Sequence, residues 1–460
     1  MKISYTRIGS SILFPIHERL KGHDTVAILH DIERSQWLAS DRLRERQVQL
    51  LQEFLVTVST SVPFFREIFR SRQLSPADFK ALADLSLLPI IDKTCIRRNL
   101  AEWTAHDAHH LELHSTSGSS GEPLRFMLGR HRISFDIAAK WRAMRWWDVD
   151  IGDREMVLWG SAFETGSQNK LRKLRDQLLR SRLVPARDLN HVRMEQIITE
   201  MRAFRPKVLF GYPSALARIA FHTRDQHISM DDLGIKVAFC TSEVLRPEWR
   251  EVISTTFGCG VANEYGARDA GFIARECPHG GMHITAEELI VEVVDDNGRA
   301  LPAGVEGDIL ITNLAGPEFP FIRYRTGDRG VLSDQTCGCG RGLPLLESIS
   351  GRANDGLVAT DGSWIHGSAI NHIIREIPGL QAYRITQDTR HRLHVLLAPT
   401  DALTQTVKVR LLEHVRHLLG SDMQIEVQAT AEIPPQANGK FRHIICHVQG
   451  QDAVSINGSS

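Results

Sequence analysis

Ser115-Thr116-Ser117-Gly118-Ser119-Ser120-Gly121-Glu122-Pro123 sets small hydroxylated residues between glycines and runs into Leu124–Leu128, which reads as a strand. Such a string lets backbone N–H groups and hydroxyls converge on an anion without steric interference. It is not a Walker-type P-loop, because no Gly-Lys-Ser/Thr follows at the required spacing. Alone it would equally suit a Ser/Gly surface turn, so its neighbours decide. Upstream, residues 41–58 repeat Leu43, Leu50, Leu51, Phe54, Leu55 and Val58 at helical spacing. Downstream, Ile133, Ile137, Trp141 and Met144 mark a second helix. Short apolar runs follow at Met156–Trp159, Lys207–Phe210 and Ile235–Phe239, separated by helix-sized intervals. That rhythm predicts a parallel sheet with crossover helices. From residue 287 the pattern alternates and turns at Asn297-Gly298, so an antiparallel section follows. The fold class is α/β with an antiparallel section.

The chain has 460 residues, 42% hydrophobic and 24% charged, enough for a sizeable core. Lys plus Arg, 55, balances Asp plus Glu, 55, which argues against wholesale wrapping of nucleic acid. The apolar stretch near the N-terminus is bracketed by Arg7 and Pro15 and lacks a small-residue cleavage site, so no signal peptide is expected. No run of about 18 apolar residues occurs, so no membrane span is expected. Seven cysteines, an odd number, do not suit a disulfide framework, and a reducing cytoplasm is the working expectation.

A smaller unit is expected after Gly351. Ala382–Thr386 and Leu393–Leu397 suggest a hairpin; Val407, Leu411, Val415 and Leu418 line one helix face; Gln424–Val427 returns as a strand. The predicted domains are 1–350 and 351–460.

Three further strings stand in order along the chain. They are Asn263-Glu264-Tyr265-Gly266-Ala267-Arg268-Asp269, Tyr324-Arg325-Thr326-Gly327-Asp328 with Gly351-Arg352 behind it, and Pro434 followed by Asn438-Gly439-Lys440. Each is ordinary turn chemistry by itself. As an ordered set they resemble the adenylate-forming superfamily of acyl-CoA synthetases, adenylation domains and luciferases. Within it, the resemblance is to the phenylacetate–CoA ligase branch with its capsule-biosynthesis-type and coenzyme F390 synthetase-like members.

The resemblance implies a large N-terminal domain for ATP and carboxylate, a hinge near Gly351–Asp355, and a small mobile C-terminal domain. It implies that Ser115, Thr116, Ser117, Gly118, Ser119, Ser120 and Gly121 cradle the ATP phosphates. Tyr265 is expected to stack on adenine, with Gly266 in the same motif, and Asn263 and the backbone around Ser242-Glu243 to close the base pocket. Asp328 is expected to bind the ribose hydroxyls and Arg352 to approach ribose or phosphate. Lys440 is expected to bridge the substrate carboxylate and the α-phosphate. Asp269 stands where the family usually carries the Mg²⁺-ligating glutamate. Asn354-Asp355 replaces the pair of aspartates common at the hinge.

Cys277-Pro278-His279-Gly280-Gly281-Met282-His283 and Cys337-Gly338-Cys339-Gly340 lie in turn-like sequence. Three thiolates and an imidazole suffice for a closed tetrahedral Zn²⁺ site. Alignment to the resembled branch implies Cys277, His283, Cys337 and Cys339 as ligands, with His279 as a spare. Four protein ligands leave no open position, so such a zinc is structural.

Trp159, Phe163, Tyr212 and Pro213 follow strand ends and are candidates for the acyl pocket, or for plain core packing. The expected reaction activates a carboxylic acid, aromatic by resemblance, as an acyl-adenylate with ATP and Mg²⁺, then transfers the acyl group to CoA. The alternatives are amide formation with an amine or amino acid, and a non-catalytic nucleotide-binding scaffold. A homodimer is compatible with this class.

Overall fold

The structure is a computed structural model that describes residues 4–116, 124–159, 170–186, 189–352, 356–361, 364–366, 380–399, 405–434 and 441–448. It divides into two compact units, residues 1–326 with 330–349, and residues 327–329 with 350–460.

In the large unit, β1 (Glu112–Ser115) and β2 (Arg125–Leu128) form an antiparallel hairpin. The main sheet draws on β3 (Glu155–Trp159), β4 (Ser181–Pro185), β5 (Val208–Gly211), β6 (Val237–Thr241), β7 (Gly260–Ala267), β8 (Gly271–Glu276) and β9 (Met282–Ile284). It continues with β10 (Leu289–Val294), β11 (Gly307–Asn313), β12 (Phe321–Ser333) and β13 (Leu345–Arg352). Among the described residues the order is β10-β11-β12-β13-β9-β8-β7-β6-β5-β3-β4.

The stretch from β3 to β7 pairs in parallel. β5 and β6 are buried at every position, as sheet covered on both faces requires. The change to antiparallel pairing comes at β7–β8, where Tyr265 faces Ala274, earlier than the alternation after residue 287 indicates. The Asn297-Gly298 turn brings Ala300 back to Val294 in a single bridge, and β10 takes its full partner from β11.

Helix Ser40–Ser61 buries Leu43, Leu51, Phe54, Leu55 and Val58 along one face. It stops at Val62, held extended ahead of Pro63 as a residue before proline must be. These side chains join Phe65, Phe126, Ile309, Phe321 and Tyr324 in one core cluster. Among the described residues, no helix is long and apolar enough to cross a membrane.

The small unit contains the hairpin β14 (Gly356–Val358) and β15 (Trp364–His366). Its four-stranded sheet has the order β18-β17-β16-β19, from β16 (Leu380–Thr389), β17 (Arg392–Pro399), β18 (Gln424–Ala429) and β19 (Ile444–Cys446). Helix Gln405–Leu419 packs Leu411, Val415 and Leu419 against Ile385, Val395 and Ile444. The buried Gln387 amide accepts from Val358 N and donates to Val358 O, both at 2.8 Å, tying β14 to β16.

Candidate active site and metal centre

The parallel strands end in one row. Leu158 pairs with Gly211, Gly211 with Cys240, and Cys240 with Asn263, so Trp159, Tyr212, Thr241 and Glu264 come next along the carboxyl edge. β4 and β5 flank β3 on opposite sides, which makes β3 a topological switch point, where open α/β sheets bind ligands. Trp159 and Tyr212 stand there with ring centroids 4.6 Å apart. Tyr212 is buried and caps helix Pro213–Asp225, whose first residue is Pro213. Phe163 lies outside the described residues. Ser242 adopts a left-handed φ of 70° directly after β6, a conformation that costs a non-glycine residue energy and is frequent at functional sites. The Glu243 carboxylate accepts from Ser214 N at 3.2 Å, placing negative charge at the N-terminus of that helix.

On β7, Asn263 and Tyr265 share a face by strand alternation. Asn263 Nδ2 lies 3.9 Å from Met282 Sδ. The Tyr265 hydroxyl is 3.4 Å from Thr326 Oγ1 on β12. A register shift follows Tyr265, and Gly266 sits against the Gly271 carbonyl. The β7–β8 turn then carries Asp269. Gly271 closes it at φ 112°, where a Cβ would stand 2.6 Å from an Arg132 guanidinium nitrogen, so only glycine fits. Arg132 donates to Asp269 O, Asn313 to Ala270 O, and Phe272 N donates to Asp136.

The Asp269 side chain is buried. Its Oδ2 accepts from the Tyr324 hydroxyl at 2.5 Å and faces Lys93 Nζ at 3.6 Å. Arg323, at φ 44°, spends its guanidinium on Glu292, Leu88 O and Gly298 O, which fixes the strand beside Tyr324. Ile91 bridges to Tyr324, so the segment leading to Lys93 is held on the same strand. Sequence reasoning missed Lys93 and Tyr324 as partners of Asp269; no local pattern marks either.

The ends of the Ser/Gly string are pinned. Thr116 N donates to Leu124 O and Leu124 N to Thr116 Oγ1, both at 3.0 Å. Arg268 Nη1 donates to Ser115 O at 3.4 Å, bringing the start of the string to the turn that carries Asp269. Ser117, Gly118, Ser119, Ser120 and Gly121 lie outside the described residues, as do Asn354, Asp355 and Lys440. Asp328 lies on β12, in the short stretch grouped with the small unit, and Arg352 closes β13.

Cys277, His283, Cys337 and Cys339 place their ligand atoms within 4.8 Å of one another. Cys277 Sγ is 3.6 Å from Cys337 Sγ, and Cys339 Sγ 3.2 Å from His283 Nε2. A tetrahedron with metal–sulfur bonds of about 2.3 Å and metal–nitrogen bonds of about 2.1 Å needs ligand separations of roughly 3.5–3.8 Å, so the donor set fits. His283 Nδ1 faces Leu343 O at 3.4 Å, an outer partner that leaves Nε2 for a metal. Burial first, then the Arg341 and Arg142 charges, holds the His283 imidazole down at about 4, and hence neutral. Burial pushes the Cys277 thiol up to about 12 when no cation is present. His279 is exposed and outside the cluster, which corrects its standing as a spare ligand. The turn closed by Gly280 N on Cys277 O leaves His279 Nδ1 beside Gly338 rather than among the four ligand atoms, and the returning strand delivers His283. Trp146 stacks edge-on to His283 and beneath Arg341, 5.4 and 4.6 Å away.

Residues 357–447 match the family described as the CapK C-terminal domain. The phenylacetate–coenzyme A ligase of Thermus thermophilus is 25% identical over 74% of this chain and 77% of its own. Protein CapK of Staphylococcus aureus is 22% identical over 88% of this chain and 90% of its own. Among solved structures, 2-hydroxyisobutyryl-CoA ligase in the postadenylation state, in complex with R3-HIB-AMP, superposes with a TM-score of 0.73 at 21% identity, covering 91% and 92% of the two chains. The fold is therefore that of an adenylate-forming CoA ligase.

Proposed function

We propose that the chain is an ATP-dependent, AMP-forming acid–thiol ligase. A carboxylate oxygen attacks the α-phosphorus of ATP and pyrophosphate leaves, giving an acyl-adenylate. The CoA thiolate then attacks the acyl carbonyl and AMP leaves, giving the thioester. Relatives named phenylacetate–coenzyme A ligase support an aromatic acid and CoA. The single observation that carries the reading is the Arg268–Ser115 contact. It sets Ser115, the first residue of the Ser/Gly string, beside Arg268 in the turn holding Asp269, with Tyr265 on the adjoining strand.

In this reading Tyr265 receives adenine, the string and its hydroxyls receive the phosphates, and Trp159 with Tyr212 walls the acid. Asp328 takes the ribose and Arg352 lies near it. Asp269 would hold Mg²⁺, a hard cation suited to its oxygens, in competition with Lys93. When bound, Mg²⁺ neutralises phosphate charge. Lys440 lies between the reacting anions in the first step and withdraws for the second as the small unit reorients about residues 351–355. The cysteine cluster would hold a zinc that joins the turn after β8 to the turn before β13. The small unit's match to the CapK C-terminal domain is the reason to screen amines beside CoA as acceptors.

ATP–pyrophosphate exchange across a panel of aryl and alkyl acids tests the reading. Exchange with at least one acid, followed by thioester formation with CoA, is expected. ATP binding without exchange for any acid would leave a nucleotide-binding scaffold instead.

A further inference from the structure

One face of the large unit is at once apolar and cationic. Residues 5–20 form a continuous right-handed helix, with a π turn at Gly9–Leu13 between Tyr5–Ile8 and Phe14–Leu20. Its inner side is Gly9, Phe14 and Glu18, all buried. Gly9 abuts the Gly152 backbone, and the Phe14 ring packs 6.0 Å from Trp141. Ile12, Ile16 and Leu20 recur four residues apart on the outer side and are 52%, 53% and 84% exposed. Helix Lys170–Leu178 adjoins it. The Tyr5 hydroxyl donates to Leu178 O at 2.9 Å, and the Arg180 guanidinium lies 4.1 Å over the Tyr5 ring. Leu174 and Leu178, again four apart, are 52% and 42% exposed.

Charge on these two elements is one-sided. Arg7, Arg19, Lys21 and Lys173 are exposed. Residues 170–182 hold six cations and one carboxylate, Asp176, which Arg175 engages at 2.5 Å. The first helix has one carboxylate, Glu18, buried and bonded to His17, His23 and Thr25. Because the whole chain carries equal numbers of each sign, the local excess is not a reflection of composition. Protein–protein interface cores are depleted in lysine, though not in arginine, and the lysines here are exposed at positions 21 and 173. Exposed Ile and Leu rimmed by Lys and Arg instead match a surface that beds into the headgroup boundary of an anionic bilayer.

We infer that the face built by residues 5–21 and 170–182 seats the protein on an anionic lipid surface. The test is co-sedimentation of the full chain with vesicles of mixed phosphatidylglycerol and phosphatidylcholine, against vesicles of phosphatidylcholine alone. Binding to the mixed vesicles is expected, weakening at about 0.5 M salt as charges are screened. The variant Ile12→Ser/Ile16→Ser/Leu20→Ser is expected to bind at least about tenfold more weakly while its unfolding midpoint stays unchanged. Lys21→Glu and Lys173→Glu, both at exposed positions, are each expected to weaken binding about fivefold or more. Equal binding to both vesicle types, salt-insensitive binding, or wild-type binding in every variant overturns the inference. So does a wild-type dimer that the triple variant converts to a monomer, since that result gives the face to a second copy of the chain.

Discussion

The Tyr324 hydroxyl donates to Asp269 Oδ2 at 2.5 Å, and Lys93 Nζ approaches the same oxygen to 3.6 Å. A buried carboxylate thus faces one phenol and one ammonium, and any second cation must compete with Lys93. Asp269→Asn is expected to lower ATP–pyrophosphate exchange by about two orders of magnitude, on the scale of one preorganised charge, and to raise the Mg²⁺ concentration needed for half-maximal exchange. An unaltered Mg²⁺ dependence in that variant would remove Asp269 from cation binding. Tyr324→Phe keeps the carboxylate and loses a hydrogen bond to a charged group, so a stability loss of about 1.5–3 kcal/mol is expected in denaturant unfolding.

The Cys/His cluster separates two histidines that the sequence leaves open. Purified protein is expected to carry about one zinc by elemental analysis. His283→Ala should lose it, and His279→Ala should keep it, because only His283 is inside the cluster. Gly281→Ala is a sharper probe. The added methyl would stand 2.6 Å from Cys337 Sγ and 3.3 Å from His283 Nε2. No ligand is removed, yet the metal should be bound more weakly, with a lower midpoint of thermal unfolding and faster loss to a chelator. Full retention of zinc in Gly281→Ala and in His283→Ala together would count against the site.

What the sequence made legible was local. The Tyr-Gly string spans the end of β7 and its turn, the Cys/His strings meet in one cluster although His283 lies on β9, and the β–α–β rhythm falls on the parallel strands. Partnerships made by the sheet order were not legible. Lys93, Asp269 and Tyr324 come together because Ile91 bridges to β12 and β7 turns tightly at Gly271, neither of which leaves a periodic trace. Arg341 lies 4.8 Å from the Trp37 ring and 4.6 Å from Trp146, clamping the metal loop to the helices beneath it. Each of the three residues alone reads as surface or core. The parallel-to-antiparallel change was placed late because β8 and β9 are buried like their parallel neighbours, so alternation was invisible there.

Glu18 ties the first helix to the start of the next, at Thr25, and sets a pH dependence. Burial would raise its pKa, but hydrogen bonds from Thr25, His23 and His17 outweigh that and hold it below the ordinary range. A carboxylate whose folded pKa is depressed stabilises the fold above its unfolded pKa, about 4.3, and that stability is lost as pH falls through the lower folded value. Wild type is therefore expected to unfold at a higher temperature than Glu18→Gln at pH 7, with the gap closing below about pH 4. A gap that is constant from pH 7 to pH 3 would show that lost packing, rather than lost charge, explains the variant.

The role proposed for Lys440 divides the two half-reactions. A cation about 4 Å from each of two anions, at an effective dielectric near 20, contributes roughly 4 kcal/mol per contact, and solvent near a mobile unit reduces that. Lys440→Ala is therefore expected to lower ATP–pyrophosphate exchange by about two orders of magnitude. The second step involves attack of a thiolate on an acyl-adenylate already formed, after the lysine has withdrawn, so it should be spared. Supplying synthetic acyl-adenylate and CoA to the variant isolates that step. Thioester formation within about twofold of wild type, beside the crippled exchange, is the expected split. Equal loss in both steps would mean that Lys440 supports the small unit's structure rather than the adenylation chemistry.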